Sequence, residues 1–560
     1  MLFLLIFLVV FEFAIHARMP LLGHDNPIWF DQLIIGKWHF AHQGMSLLRY
    51  DPHICAGTPV YGNPESIHFS IAQILTLFIH PWAAMQISVV LTLFVGFFGW
   101  ARFGTKVMGL KKDWSQLLAL VMIANGFIFI HLAVGHFQMH TMPLLGWFLY
   151  LIFDREKDSK SKLLIRSSIF ALLSIYTLSA AGYNVLLFAA ITILFVLILD
   201  LSLAQNFKMR FKELFTRLIT AGTFSLLACI SKLVAVLSFM KFYPRIEGYS
   251  QMWNQTNPLA YASKAFWSIN PTRQSLSGFG WDLHEKMIFL SPVTWMGLLV
   301  GLYLLVKNKD LILKNKKKSL LIFASALFTF VFLIELMQGK GILVNQFLNL
   351  PVIHSLRVAS RFLYILSIFI SILSIYCFAK LSDEIKVRVL KHIPKLGMIL
   401  TLLSMAIGWN AVRYKVFLNE DYQVRTQKLE KLEAEHYQDQ PVLEVKEGNT
   451  DFIRAGNVCH VELLKNNFPL PLIVGETKSD FFGHYNLINP SCYQYPEENN
   501  CKPGDKISVD DQENFENFIH GRPVNWKISN LQMISDYLSL ASISLMIGLI
   551  LLSIFRRKTV

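Results

Sequence analysis

Charge is scarce in this chain. Asp, Glu, Lys and Arg make up 16% of its 560 residues. A soluble domain carries about 25%, so a water-facing globule is a poor fit. The signatures that tie a chain to common cofactors are missing too. There is no Walker A loop, no glycine-rich dinucleotide turn, no HExxH, and no GxSxG in its strand–turn–helix setting. That argues against a nucleotide-driven pump. No internal repeat or low-complexity tract is visible, and the two similar halves common among transporters are not found. No basic stripe interleaved with aromatics accompanies the net charge of +14, so the charge does not point to nucleic acid.

Apolar residues are abundant instead. They form 54% of the chain, including 45 Phe, and mean hydropathy is +0.43. Spanning a bilayer takes about 20 consecutive apolar residues, with a range of roughly 17–25. Twelve runs approach this: about 2–17, 82–104, 115–134, 140–154, 164–179, 183–203, 217–239, 287–306, 319–337, 359–380, 397–415 and 535–555. The first lacks a basic leader and a small-residue cleavage site, so it reads as an uncleaved span. The stretch 67–80 is too short to span and reads as a re-entrant or interfacial helix.

Lysine and arginine crowd into alternate loops. Clusters lie at Arg102–Lys112, Arg155–Arg166, Lys208–Arg217, Lys307–Lys318, Lys380–Lys395 and Arg556–Lys558. Twelve spans put every cluster on one side, which the positive-inside rule makes cytoplasmic, with both termini there. The long loops 18–81, 240–286 and 338–358 then face outward, as does the polar segment 416–534, which is large enough to be a domain. That segment opens with a charged helical stretch. Short alternating runs follow at 442–445, 458–464, 470–474, 507–509 and 524–528, and they predict strands. The expected fold is an all-α polytopic membrane bundle over 1–415, a small β-rich domain over 416–534, and a last helix with a basic tail over 535–560. Cys229 and Cys377 fall within spans. Cys55, Cys459, Cys492 and Cys501 fall outside, and Cys492 with Cys501 brackets a turn that can close a disulfide in an oxidising compartment. The partners of Cys55 and Cys459 cannot be read.

The outer loops hold most of the residues with chemical potential. Asp25, in Gly23-His24-Asp25-Asn26-Pro27, follows the first span, and Asp31 falls in a stretch, Trp29–His42, that reads as an amphipathic surface helix. A partly desolvated carboxylate there can work as a general base; a turn-capping aspartate would look the same. Tyr50 to Ser66 is dense in Gly, Pro and Asn, which forbids helix and specifies tight turns. A functional loop and a rigid cover for the bundle both fit. His136 and His140 stand four apart in Gly135–His140. No third ligand is spaced for zinc, so hydrogen bonding to a polar substrate suits this segment better. Arg357 and Arg361 stand four apart before span ten, on one helical face if helical. Arginine near the bilayer is costly, and its fork suits phosphate, while snorkelling to headgroups is the plainer alternative. Lys232 and Glu335 lie within spans and either pair or reach a cavity.

An acid just after span one, a long structured first outer loop, many spans and a trailing outer domain resemble the GT-C superfamily of integral membrane glycosyltransferases. Within it, the bacterial YfhO-like membrane proteins are the nearest likeness. Gly23-His24-Asp25, Ala56-Gly57-Thr58-Pro59 with Gly62-Asn63-Pro64, Gly135-His136, and Leu356-Arg357 with Arg361-Phe362 carry it. The resemblance implies inverting transfer of a sugar from a polyprenyl-phosphate donor to a glycan, lipid or cell-wall acceptor outside the cytoplasm, in a bacterial cytoplasmic membrane. It makes Asp25 the general base. Arg357 and Arg361 become phosphate ligands, and His24, His136 and Gln138 orient hydroxyls. Many members carry two adjacent acids after span one, where this chain has Asp25-Asn26. That leaves a divalent metal open, with Asp31, Asp51, Glu65, Asp282 and Glu285 as candidate second acids. A flippase for a lipid-linked glycan and a non-enzymatic assembly protein are the competing expectations.

Overall fold

The structure is a computed structural model. It describes residues 1–16, 26–51, 58–242, 266, 288–307, 324, 327–336, 341–342, 345–348, 359–385, 392–416, 444–446, 449–451, 495–501 and 527–558. Its helices include α1 (Leu2–His16), α2 (Asn26–Gln43), α3 (Ile71–Leu75), α4 (Pro81–Arg102), α5 (Lys112–Ile123), α6 (Gly126–Val134), α7 (Leu145–Phe153), α8 (Lys160–Ser179), α9 (Tyr183–Leu203), α10 (Phe207–Phe242), α11 (Pro292–Lys307), α12 (Leu363–Ile385), α13 (Ile393–Val416) and α14 (Asn530–Lys558). Among the described residues, seven helical stretches are long and apolar enough to cross a membrane: Pro81–Val107, Lys112–Val134, Lys160–Ser179, Tyr183–Leu203, Phe207–Lys241, Leu363–Asp383 and Asn530–Arg556. Shorter apolar helices lie at Leu2–Phe11, Pro292–Leu304, Leu327–Leu336 and Ile393–Ile407. The molecule is an all-α bundle with the makings of a multi-pass membrane protein.

Local chemistry sets the boundaries. Pro81 occupies the first turn of α4, where a missing N–H costs nothing, and His80 accepts a hydrogen bond from Trp82 N. Ser159 caps α8 through Lys162 N. The third apolar run breaks between α5 and α6, where the Asn125 side chain accepts from Phe127 N and starts a second helix. This broken pair is the bundle's centre, buried along its whole apolar window. Asn125 Nδ2 also donates to Ser367 Oγ of α12 at 2.9 Å, the kind of interhelical bond that orients membrane helices.

Three expectations change. The fourth run is not one α-helix: Phe137–Leu144 is a 3-10 helix containing Pro143, and only Leu145–Phe153 is α. Proline cannot supply the N–H an α-helix needs there. The helix over Trp29–His42 forms, and more of it is buried than the single face of an amphipathic surface helix. Trp29, Phe30, Leu33, Ile34, Ile35, His39 and Phe40 are all buried. The stretch 67–80 yields a helix of five residues, capped by Ser70 and followed by Phe78, which is 79% exposed. In the outer segment, Glu444–Lys446 pairs antiparallel with Asn449–Asp451, at the first predicted strand. Of the other four runs only Lys527 and Ile528 are described, and they are not strand.

The bundle has two chemically distinct ends. At one, Lys111 bonds Asp383 at 2.5 Å, and the Arg102 and Arg166 guanidinium groups lie 5.9 and 5.8 Å from the Tyr150 ring. Arg166 bonds Asp154 and Asp158, Arg217 bonds Asp158 and Glu213, and Arg210 bonds Asp200 and Glu213. Four of the six basic clusters therefore gather at this end. The Gly- and Pro-rich first loop and the starts of α7's 3-10 lead, α9, α12 and α14 collect at the other.

Candidate functional site

The first loop is folded down onto the bundle at the end opposite the basic clusters. Two side-chain amides hold it to α2. Gln32 donates from Nε2 to Glu65 O (3.4 Å) and accepts at Oε1 from Ile67 N (3.0 Å). Gln73 Nε2 donates to Leu33 O and Thr76 Oγ1, each at 3.0 Å, and lies directly over Gly36, where a side chain would collide with it. His68 is buried among His39, Phe40 and Phe69, and its Nε2 accepts from Leu48 N at 3.2 Å. Burial and the neighbouring His39 push its pKa down to about 3, so it stays neutral.

On the other flank the loop is fixed to α10 and α14. Lys232 Nζ, in α10 and 2% exposed, donates to the carbonyls of Tyr61 (2.7 Å) and Asn63 (2.9 Å) and lies 5.1 Å from the Tyr61 ring centre. Asp536 accepts from Ser231 Oγ at 2.5 Å and pairs with Arg49 at 2.5 Å. Since Ser231 spends its proton on the carboxylate, it accepts from the Tyr61 hydroxyl, 2.6 Å away. Burial pushes the Tyr61 phenol up to about 12, which keeps that proton in place. Gln532 joins the cluster through Ser231 O, Asp536 and the Tyr495 hydroxyl.

The remaining contacts at this end come from α2, α6, α9 and α12. Trp29 Nε1 donates to Gly135 O at 2.6 Å, and its ring meets Phe137. Gly135 ends α6 at φ +100°, a left-handed cap that glycine takes without strain. It turns His136 back so that its ring lies 5.1 Å from His131. A run of rings continues inward and across: His131 on Phe127 (4.0 Å), Phe127 on Tyr364 (5.0 Å), Tyr364 beside Phe188 (6.4 Å), and Phe188 on Phe362 (5.5 Å). Arg361, half-buried, sits in the 3-10 turn Ala359–Phe362 at the start of α12. Tyr183 Oη reaches toward Glu65 Oε1 at 3.5 Å, from a turn in which the buried Ala181 is held at φ +59°. A non-glycine residue there costs about 1–3 kcal/mol and persists only when its surroundings impose it. Here Gly182 is pressed against Thr141 and Thr177.

The sequence candidates thus divide. His136, Gln138, Glu65 and Arg361 all belong to this end. Gln138 has a buried Oε1 with no hydrogen-bond partner, and so does the Tyr364 hydroxyl. His140 parts from His136: it bonds Phe137 O at 2.6 Å and the Tyr176 hydroxyl at 3.0 Å, so the two imidazoles do not form a ligand pair. Among the described residues no group of three or more His, Cys, Asp or Glu is placed to hold a metal. Asp31 lies in α2 and Asp51 in the strand pair Tyr50–Asp51 with Thr58–Pro59. His24, Asp25, Asp282, Glu285, Arg357, Cys55, Cys459 and Cys492 lie outside the described residues. Cys501 is disulfide-bonded, and the other cysteine of that bond is not among the described residues. Lys232 does not bond Glu335; its partners are loop carbonyls. Trp29, Gln32, Tyr183, Ser231 and Asp536 stand outside the sequence candidates. Asp536 alone left a trace, as an acid at the edge of an apolar run. Comparison of the chain with protein-family models, curated proteins and solved structures finds no match in any of the three.

Proposed function

We propose that this protein is a membrane glycosyltransferase that moves a sugar from a polyprenyl-phosphate donor to a glycan, lipid or cell-wall acceptor. In this reading the chain spans a bacterial cytoplasmic membrane twelve times, the basic end is cytoplasmic, and the opposite end and segment 416–534 face outward. One observation carries it. The helix that begins one residue after Asp25 is bonded through Trp29 to Gly135, next to His136, and a continuous run of rings links His136 to Phe362, next to Arg361. The Glu65 carboxylate, the His136 imidazole and the Arg361 side chain at one end of a bundle, away from the basic loops, suit a lipid phosphate on one side and an acceptor hydroxyl on the other.

Asp25 takes the proton of the acceptor hydroxyl as its oxygen bonds to the anomeric carbon. The bond from that carbon to the phosphate oxygen breaks with its electron pair, and the configuration inverts. Polyprenyl phosphate departs, its charge held by Arg361 and Arg357. His24, His136 and Gln138 orient sugar hydroxyls, and the Gln138 Oε1, buried without a hydrogen-bond partner, suits that role. Glu65 is the second acid in this scheme. The test is transfer of radiolabel from a polyprenyl-phosphate sugar by the purified protein in lipid. Asp25→Asn is expected to abolish transfer while the protein remains helical and monodisperse. Equal turnover in that variant removes Asp25 from the mechanism. Lipid scrambling without sugar release makes the protein a flippase instead.

A further inference from the structure

We infer that Lys232 is a positioning residue that sets the turn Tyr61–Ser66, and through it the Glu65 carboxylate, for the reaction; this rests on the transferase reading above. Lys232 lies in the α10 stretch that is long and apolar enough to cross a membrane, and it is 2% exposed. Burying an ammonium there is expensive. A methionine of similar length would fill the same space without that cost, so packing does not explain the lysine. Its bonds do. Nζ donates to Tyr61 O at 2.7 Å and Asn63 O at 2.9 Å, two carbonyls of one turn. The same turn is closed by Asn63 Oδ1 accepting from Glu65 N at 2.9 Å and by Asn63 O accepting from Ser66 N at 3.2 Å. Gln32 then grips the backbone at Glu65 O and Ile67 N. The backbone of residue 65 is therefore held from α10 through Asn63 and from α2 directly. Its half-buried carboxylate is left facing the Tyr183 hydroxyl, 3.5 Å away. Lys232 touches none of the groups assigned to the donor or acceptor, so its effect on turnover passes through Glu65.

The experiment uses the full chain in lipid nanodiscs and two variants. Lys232→Met removes both donated bonds. Asn63→Ala keeps the lysine bonds to the backbone and removes only the link to Glu65 N. Backbone hydrogen exchange over residues 61–66 is expected to quicken at least tenfold in Lys232→Met, while α4 and α5 stay at the wild-type rate. In Asn63→Ala the increase is confined to Glu65 and its neighbours. In the transfer assay both variants are expected to lose at least tenfold in kcat with KM for the lipid donor within twofold. A merely structural lysine would lower the amount of folded protein and leave the kcat of the folded fraction unchanged. Wild-type exchange over 61–66 in folded Lys232→Met overturns the inference. Should that variant fail to fold, unchanged Glu65 exchange or unchanged kcat in Asn63→Ala overturns it. Absence of transfer by the wild-type protein refutes the transferase reading, and the exchange comparison then decides the role of Lys232 in the loop.

Discussion

Replacing Gly146 by alanine drives a methyl group into the backbone of the facing helix. A Cβ at Gly146 would lie 2.6 Å from Trp100 N and 2.7 Å from Trp100 Cγ, where ordinary contact begins at 3.4 Å. The approach is reciprocal: a Cβ at Gly99 would lie 2.5 Å from Trp147 Cδ1 and 2.8 Å from Trp147 N. Each glycine of the α4–α7 pair receives the tryptophan next to the other. Backbone atoms cannot swing aside, so the helices must part by about 0.8 Å. A gap of that size forfeits roughly a quarter to a half of the dispersion energy of the atoms it separates. Gly146→Ala should therefore cost about 1–3 kcal/mol, and Gly99→Ala a similar amount. The double variant should cost less than the sum by at least about 0.5 kcal/mol, because the first methyl already opens the gap the second needs. Reversible unfolding in mixed micelles measures all three. Single variants within about 0.3 kcal/mol of wild type, or full additivity in the double, would refute the close packing of α4 on α7.

Acidification should loosen the first loop. Folded His68 has a pKa of about 3 against an ordinary 6.5, so its unfolded form binds the extra proton between those values. Stability from this group is complete above pH 6.5 and is lost as pH falls toward 3, at up to about 1.4 kcal/mol per pH unit. His68→Gln should flatten that slope in an acid unfolding series, and an unchanged slope would discount the site. At the basic end, the Arg217 side chain is 3% exposed and serves two carboxylates and the carbonyls of Ile152, Asp154 and Glu156. Arg217→Met should cost about 3–5 kcal/mol in thermal unfolding. Arg217→Lys should recover little of this, since one ammonium cannot span the fork's partners; a loss under 1 kcal/mol in Arg217→Met would contradict the network.

Much of this architecture can be read without coordinates, because its strongest forces are local in the chain. An apolar run such as 183–203 has to satisfy its backbone internally, and α9 (Tyr183–Leu203) coincides with it. The loop clusters at Arg155–Arg166 and Lys208–Arg217 were legible as neighbours because loop charge follows one rule, and Arg166, Arg210 and Arg217 do share one set of carboxylates. Hydropathy is blind to helix type, so the 3-10 turn before α7 was hidden in the run 140–154 even with Pro143 in plain view. Spacing misleads where the period changes: His136 and His140 share a face only on an α-helix, and the segment is not one.

Composition and charge order by themselves determined that this chain is a bundle of apolar helices with several of its basic clusters gathered at one end, since burial and topology sum over many residues. Which polar groups meet was decided only in three dimensions. The price of burying Lys232 is written in its own helix, yet its partners are carbonyls about 170 residues earlier, and backbone oxygens carry no sequence signature. The same holds for Trp29 and Gly135, and for Ser231 and Asp536: a hydrogen bond needs two atoms within about 3 Å, and only the folded chain brings them there.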